Sequence, residues 1–215
     1  LDIAYEDDDI IVINKPFDMP AHPSAGNHDN TLANALMYYY GSQNKPFVYR
    51  CINRLDRDTT GLTIVAKHAL AGGILGNAVA KRAIHRTYYA VCSGCTPACM
   101  RISAPIARKD ASTIERCVDF KRCEYAVTDF IRIKYNPDNN LSLVKLRLLT
   151  GRTHQIRVHM KYIGFPLIGD FLYNPDYTYI SRQALHSGRL VFTHPVTGQK
   201  MNLISDIPSD MKSLF

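Results

Sequence analysis

The chain opens on a short strand-like stretch, Leu1 to Tyr5, then an acidic turn from Glu6 to Asp9, then four apolar residues, Ile10-Ile11-Val12-Ile13. That pattern predicts a β-hairpin, ended at Lys15-Pro16 because proline cannot donate to a strand ladder. Asn30 or Thr31 is placed to cap a helix carrying Leu32, Leu36 and Met37, which stops at Gly41. Leu62 to Ala66 reads as a buried strand, His68 to Arg82 as a glycine-weakened helix, and Thr87 to Cys92 as a strand. A second hairpin joins Tyr125–Tyr135 to Leu141–Leu149 across Asn136-Pro137-Asp138-Asn139-Asn140. A short helix follows from about Thr153 to Ile163, with Gly164 and Pro166 beyond it. Leu190–Thr193 and Lys200–Ile204 form the last hairpin.

Hairpins in series with a few helices between them predict an α+β fold on a largely antiparallel mixed sheet with flanking helices. The strand–helix alternation of a doubly wound fold is missing. No repeat, low-complexity tract or flexible linker interrupts the chain, so residues 1–215 read as one domain.

Composition then narrows the partners. Lys plus Arg number 26 against 19 Asp plus Glu, a formal charge of +7. That excess favours an anionic partner, a nucleic acid or a membrane surface. No apolar run is long enough for a spanning helix, and no signal peptide is legible, which points to the reducing cytoplasm and free cysteines. Cys92, Cys95 and Cys99 have the beginnings of a metal-ligand pattern. Cys117, Cys123 and His85 are the possible fourth ligands, none at a diagnostic spacing, so no metal is expected. Asp7, Asp8 and Asp9 splay apart on a turn, which suits solvation better than the clustered carboxylates of a metal-dependent nuclease.

Two stretches carry candidate chemistry. Asn53-Arg54-Leu55-Asp56-Arg57-Asp58-Thr59-Thr60-Gly61-Leu62 is a loop between two strand patterns. Its arginines suit a carboxylate that must stay ionised beside a polyanion, but the residues alone favour a surface turn with Arg–Asp pairs of little consequence. Thr150-Gly151-Arg152-Thr153-His154-Gln155-Ile156-Arg157-Val158-His159 opens a helix on which His154, Arg157 and Lys161 share a face. Those cations suit phosphate and base-edge contacts, or they belong to a solvated amphipathic face.

With their flanks, these stretches resemble the RluA-type family of RNA pseudouridine synthases over nearly the whole chain. "DDIIVINKPFDMPAHPS" is similar to the family's opening segment and "RLDRDTTGLTIVAK" to its catalytic-aspartate motif. "HRTYYAVCSG" resembles the strand bearing the active-site tyrosine, "TGRTHQIRVHMKYIGFPLIGD" the third motif, and "ALHSGRLVFTHPVTGQ" the closing hairpin. Five segments occur in the family's order.

The resemblance implies conversion of uridine to pseudouridine in structured RNA, with Asp56 as the essential carboxylate. Tyr88 matches the active-site tyrosine in the frame Arg86-Thr87-Tyr88-Tyr89-Ala90, and Tyr89 is the off-by-one alternative. Arg157 matches the arginine that pairs with the catalytic aspartate. Arg54 matches a residue that fills the gap left by a flipped base. Lys15, Arg57, Arg152 and His154 complete the set expected to contact RNA. Ribosomal RNA is the first choice of substrate and transfer RNA the second; no cofactor is required, and a monomer is the default. The family's small RNA-binding domain ahead of the catalytic one has no counterpart in this sequence. Two departures stand out: Asn53 replaces a usual histidine, and Thr60-Gly61 a usual Ser-Gly. Asn53 is expected to alter RNA contact while leaving the chemistry intact. The competing reading is an RNA-binding or folding factor that keeps the scaffold without catalysis.

Overall fold

A computed structural model of the protein describes residues 1–24, 27–110, 114–122 and 124–215. Cys123, one of the possible fourth metal ligands, lies outside the described residues. Along the first part of the chain run strands β1 (Ile3–Glu6) and β2 (Ile10–Lys15), helix α1 (Leu32–Gly41), strands β3 (Arg50–Cys51) and β4 (Thr60–Ala66), and helix α2 (Ala69–Ala80). Next come β5 (His85–Ser93), β6 (Cys99–Ser103), β7 (Ile106–Arg108), β8 (Arg116–Val118), β9 (Val127–Asn136) and β10 (Leu141–Leu148). Helix α3 (Gln155–Tyr162), strands β11 (Leu185–Thr193) and β12 (Lys200–Ile204), and helix α4 (Ser209–Lys212) complete it. The architecture is α+β, as the hairpin pattern predicts.

The chain divides into two compact units, Leu1–Arg86 with Ser187–Asp206 and Thr87–His186 with Ile207–Phe215. In the first unit the strands run β1-β2-β4-β11, with β12 paired to β11 and β3 to β4. The unbroken apolar run of β2 is explained by burial on both faces. Ile10 and Val12 join Leu62, Ile64, Leu75 and Leu190 in one core, while Ile11 and Ile13 join Leu32, Leu36, Tyr40 and Val65 in another. Alternate side chains of one strand thus feed two cores, one against each helix. Thr31 is the cap of α1: its side chain and that of Asn34 bond reciprocally to backbone N–H groups. Met37, read as part of the packed stripe, is half exposed, and Tyr40 takes the buried place. At Gly61 the backbone has φ +106°, and a Cβ there would lie 2.3 Å from the Ser187 carbonyl oxygen. Only glycine allows β11 that close to the start of β4.

In the second unit the order is β5-β10-β9-β6, with β7 and β8 forming a separate two-stranded ribbon. Strands β5, β10, β9 and β6 pair antiparallel. Tyr88 is buried on β5 opposite Leu146, and its neighbour Tyr89 points the other way onto the core of Val91, Leu141 and Ile168. Helix α3 is fastened to β9 by a buried polar network. The Gln155 amide donates to the Val127 carbonyl and to Thr128 Oγ1, both at 3.0 Å, and its Oε1 accepts from Thr150 Oγ1 at 2.8 Å. No helix among the described residues is long and apolar enough to cross a membrane.

Candidate functional site

The loop bearing Asp56 is held on both sides. Leu55 is buried beside it, and a turn closes from the Thr59 N–H to the Asp56 carbonyl at 3.1 Å. Upstream, Asn53 is buried: its Oδ1 accepts from the Ile64 N–H at 2.8 Å and its Nδ2 donates to the Leu62 carbonyl at 3.3 Å. The side chain therefore stands in for a strand neighbour along β4. This corrects the expectation that Asn53 alters RNA contact, because a buried amide with both ends engaged by backbone does not face a ligand.

Lys15 needs a second correction. It is expected at the RNA surface, but the residue is only 1% exposed. Its ammonium donates to the carbonyls of Pro16 at 2.7 Å and of Met19 and Arg57 at 2.8 Å. The Met19 N–H also reaches the Arg57 carbonyl, at 3.2 Å. A strongly hydrated cation is buried only when carbonyl oxygens replace its water. Lys15 ties the residue after Asp56 to the segment after β2, a structural anchor for the loop.

The arginines flanking Asp56 differ. Arg57 is exposed and lies 3.3 Å from Asp58 and 3.8 Å from Asp18. Arg54 is exposed, and among the described residues its guanidinium has no hydrogen bond or ion pair. Partial burial and then the charge of Arg54 push the His22 imidazole below its ordinary pKa.

In the second unit His154, Arg157 and Lys161 do share a face, gathered by Tyr173, a residue the sequence did not single out. The Tyr173 hydroxyl meets His154 Nδ1 at 2.9 Å, and the Arg157 guanidinium and Lys161 ammonium lie 5.0 and 5.6 Å from the ring centre. The same hydroxyl accepts from the Arg116 N–H at 2.9 Å. Burial pushes the Tyr173 phenol up to about 12. His154 sits in the left-handed region at φ 55°, a conformation uncommon outside glycine.

Arg157 is buried at 2% exposure and pairs in two-pronged fashion with the fully buried Asp170: Nε to Oδ2 and Nη2 to Oδ1, both 2.7 Å. Asp170 also escaped the sequence reading. A lone Gly-Asp in a turn, thirteen residues after the arginine, carries no local signal that it will face a cation. Arg152 is exposed and donates to Glu124 at 2.6 Å.

His159, on the same helix, is wholly buried. Its Nε2–H donates to the Ala104 carbonyl at 2.8 Å, and Nδ1 accepts the Thr128 hydroxyl proton at 2.9 Å. Burial holds its pKa below the ordinary value, only partly countered by the Ala104 carbonyl. The unfolded chain therefore binds a proton more readily than the fold does. The contribution of neutral His159 is full above about pH 6.5 and declines as pH falls below it. Thermal midpoints of the wild type should drop between pH 7 and 5 more steeply than those of His159→Gln. Equal slopes would show that His159 is not a titrating group of this core.

Cys92 and Cys99 lie on β5 and β6, with Cys95 between them. Cys92 is fully buried in β5, Cys95 and Cys99 are exposed, and Cys95 Sγ accepts from Arg132 at 2.7 Å. Among the described residues they form no cluster with ligand atoms gathered; the one such cluster is Asp7, Asp9 and His194. Its atoms are already engaged. Asp7 accepts from the Tyr5 hydroxyl, the Asp9 and Ile10 N–H groups and His194 Nε2. The His194 Nδ1 takes the Val196 and Thr197 N–H groups. Asp7 and Asp9 are therefore parts of a closed network that joins β1–β2 to the β11–β12 turn, which corrects their reading as merely solvated.

The chain matches the family model described as RNA pseudouridylate synthase over residues 9–162. It is 39% identical over 215 residues to an uncharacterized RNA pseudouridine synthase of Bacillus subtilis strain 168, YhcT, covering 100% of this chain and 71% of that one. It is 38% identical over 232 residues to ribosomal large subunit pseudouridine synthase D of Zymomonas mobilis, covering 100% of this chain and 72% of that one. Among solved structures it resembles human RNA pseudouridylate synthase domain containing 1, with a TM-score of 0.81 and 26% identity over 96% of this chain and 83% of that one.

Proposed function

The chain belongs to the RNA pseudouridylate synthase family, and from that premise we propose that it isomerises uridine in ribosomal RNA, with Asp56 as the essential carboxylate. The observation that carries the site assignment is the construction of the Asp56 loop. A half-buried aspartate is fixed by Leu55, Asn53 and the Lys15 ammonium, between two exposed arginines. A surface turn of indifferent ion pairs has no use for a buried cation beneath it.

The reaction breaks the bond from ribose C1′ to uracil N1, turns the base over, and joins C1′ to C5. The proton on C5 is lost and N1 gains one, so the sum of atoms is unchanged. Asp56 serves either as nucleophile at C1′ or as the base that removes a ribose proton. Arg157 is the cation that serves this carboxylate. Tyr88 packs against the base and assists proton transfer at C5. Arg54, Arg57, Arg152 and His154 contact RNA. The cytoplasm is the place of action. Ribosomal RNA is preferred over transfer RNA because the Zymomonas mobilis relative is named for the large subunit. Mapping pseudouridine in RNA from cells lacking the gene tests this: loss of a site from ribosomal RNA alone supports it, and loss from transfer RNA alone refutes it.

Arg54 gives a sharper test of binding. Its exposed guanidinium suits the space vacated by an extruded base, and extrusion is cheapest where the base is already unstacked. Arg54→Ala should slow modification of a stacked target on the order of tenfold more than that of a uridine in an open loop. Equal losses on the two substrates would reduce Arg54 to a phosphate contact.

A further inference from the structure

The environment of Arg157 is more elaborate than electrostatic attraction to RNA would need. Asp170 holds one edge of the guanidinium, the Nε and Nη2 side, with both partners nearly or wholly buried. The carboxylate is itself fixed, because Oδ1 also accepts from the N–H groups of Leu172 at 3.1 Å and Tyr173 at 3.2 Å. The rings of Phe171 and Tyr173 stand 5.4 and 5.0 Å from the guanidinium carbon.

The turn that delivers Asp170 depends on a close backbone approach. Gly169 has φ +66°, and a Cβ there would lie 2.1 Å from the Arg182 carbonyl oxygen. Arg182 is in turn buried and bonded to Asp210 on α4 at 2.8 and 2.9 Å. Behind Arg157, α3 is pinned by Gln155 and His159. Burying two charges is costly, and a well-packed apolar pair of the same volume is often no less stable. An ion pair built with this much support fixes a direction. Three of the five guanidinium N–H groups lie outside the Asp170 contact, and their aim is set once the Nε edge is clamped.

We propose that Asp170 is a positioning residue for uridine isomerisation, orienting the Arg157 guanidinium through its Nε edge. The proposal rests on the reading that Arg157 serves the Asp56 carboxylate. Asp170 touches no substrate in this scheme and acts through the arginine. Asp170→Asn keeps the shape and the acceptor for the Leu172 and Tyr173 N–H groups but weakens the clamp on the cation. Misplacing a catalytic partner by about an ångström costs on the order of 100-fold in rate.

The test is single-turnover and steady-state kinetics on a target RNA for Asp170→Asn, Arg157→Gln and the double variant, with folding checked by thermal melts. Asp170→Asn should lower kcat on the order of 10- to 100-fold with KM within about threefold. The double variant should be no slower than Arg157→Gln, because the two residues act as one unit. Where Asp170→Asn does not fold, Asp170→Glu carries the test, since it keeps the charge and displaces the carboxylate; a lowered kcat at unchanged KM supports the proposal. Wild-type kcat in a folded Asp170 variant overturns it, as does additive loss in the double variant. Full activity of Arg157→Gln would instead remove the premise that Arg157 serves catalysis, which separates the two failures.

Discussion

Asp56→Asn should abolish pseudouridine formation while leaving affinity for target RNA within a few fold. An amide has nearly the shape of a carboxylate, so the loop held by Leu55, Asn53 and Lys15 should keep its course. What disappears is the charge and the lone pair needed by a nucleophile or a base. No neighbour is expected to take over. Asp58 is paired with Arg57 at 3.3 Å. The measurement is release of the C5 proton from labelled RNA, alongside filter binding. Turnover by the purified variant above the level of wild-type contamination would end the assignment, and a large loss of binding would make Asp56 an RNA contact.

Lys15→Met should have the second-largest effect, and on stability before binding. Methionine fills the volume but leaves the Pro16, Met19 and Arg57 carbonyls without the ammonium that bonds all three. The Arg57 carbonyl keeps the Met19 N–H; an acceptor left unpaired costs about 1–3 kcal/mol, so a total of roughly 3 kcal/mol is expected from the other two. For a chain of this size that corresponds to a fall of roughly 6–12 °C in Tm. Activity should fall with it, because the Arg57 carbonyl is adjacent to Asp56 in the chain. The dependence of RNA affinity on salt should not change. If Lys15 met a phosphate, removing it would reduce the salt slope by about one ion and leave Tm nearly untouched. Calorimetry and binding at several salt concentrations decide between an anchor and a contact.

The strands built on dense apolar runs were legible in the sequence. Ile10 to Ile13 and Leu62 to Ala66 are buried on both faces, so their hydrophobicity is nearly continuous and leaves little choice of element. The missed strands lack that signal. In β6, Cys99 to Ser103, only Ile102 is buried, and the strand exists because β9 offers it a ladder. The ribbon of β7 and β8 has the same origin in pairing. Helix α2 was legible as a glycine-weakened helix over His68 to Arg82, though just Ala71 and Leu75 of its residues are buried.

Asp56 was singled out by the resemblance of five segments to the family in their order; its loop read alone also suits a surface turn. The directions of the cations were not local. Lys15 and Arg157 have the same sequence-level signature as exposed Arg54 and Arg57, a positive side chain beside a turn. Whether such a charge faces water or the interior depends on acceptors supplied from elsewhere in the chain. For Lys15 these include the Arg57 carbonyl, 42 residues away, and for Arg157 the Asp170 carboxylate, 13 residues away. Apolar periodicity thus sufficed for the sheet-forming segments and the fold class. The tertiary structure decided which cations anchor the fold and which stay at the surface, because a buried charge is tolerable only where distant groups replace its water.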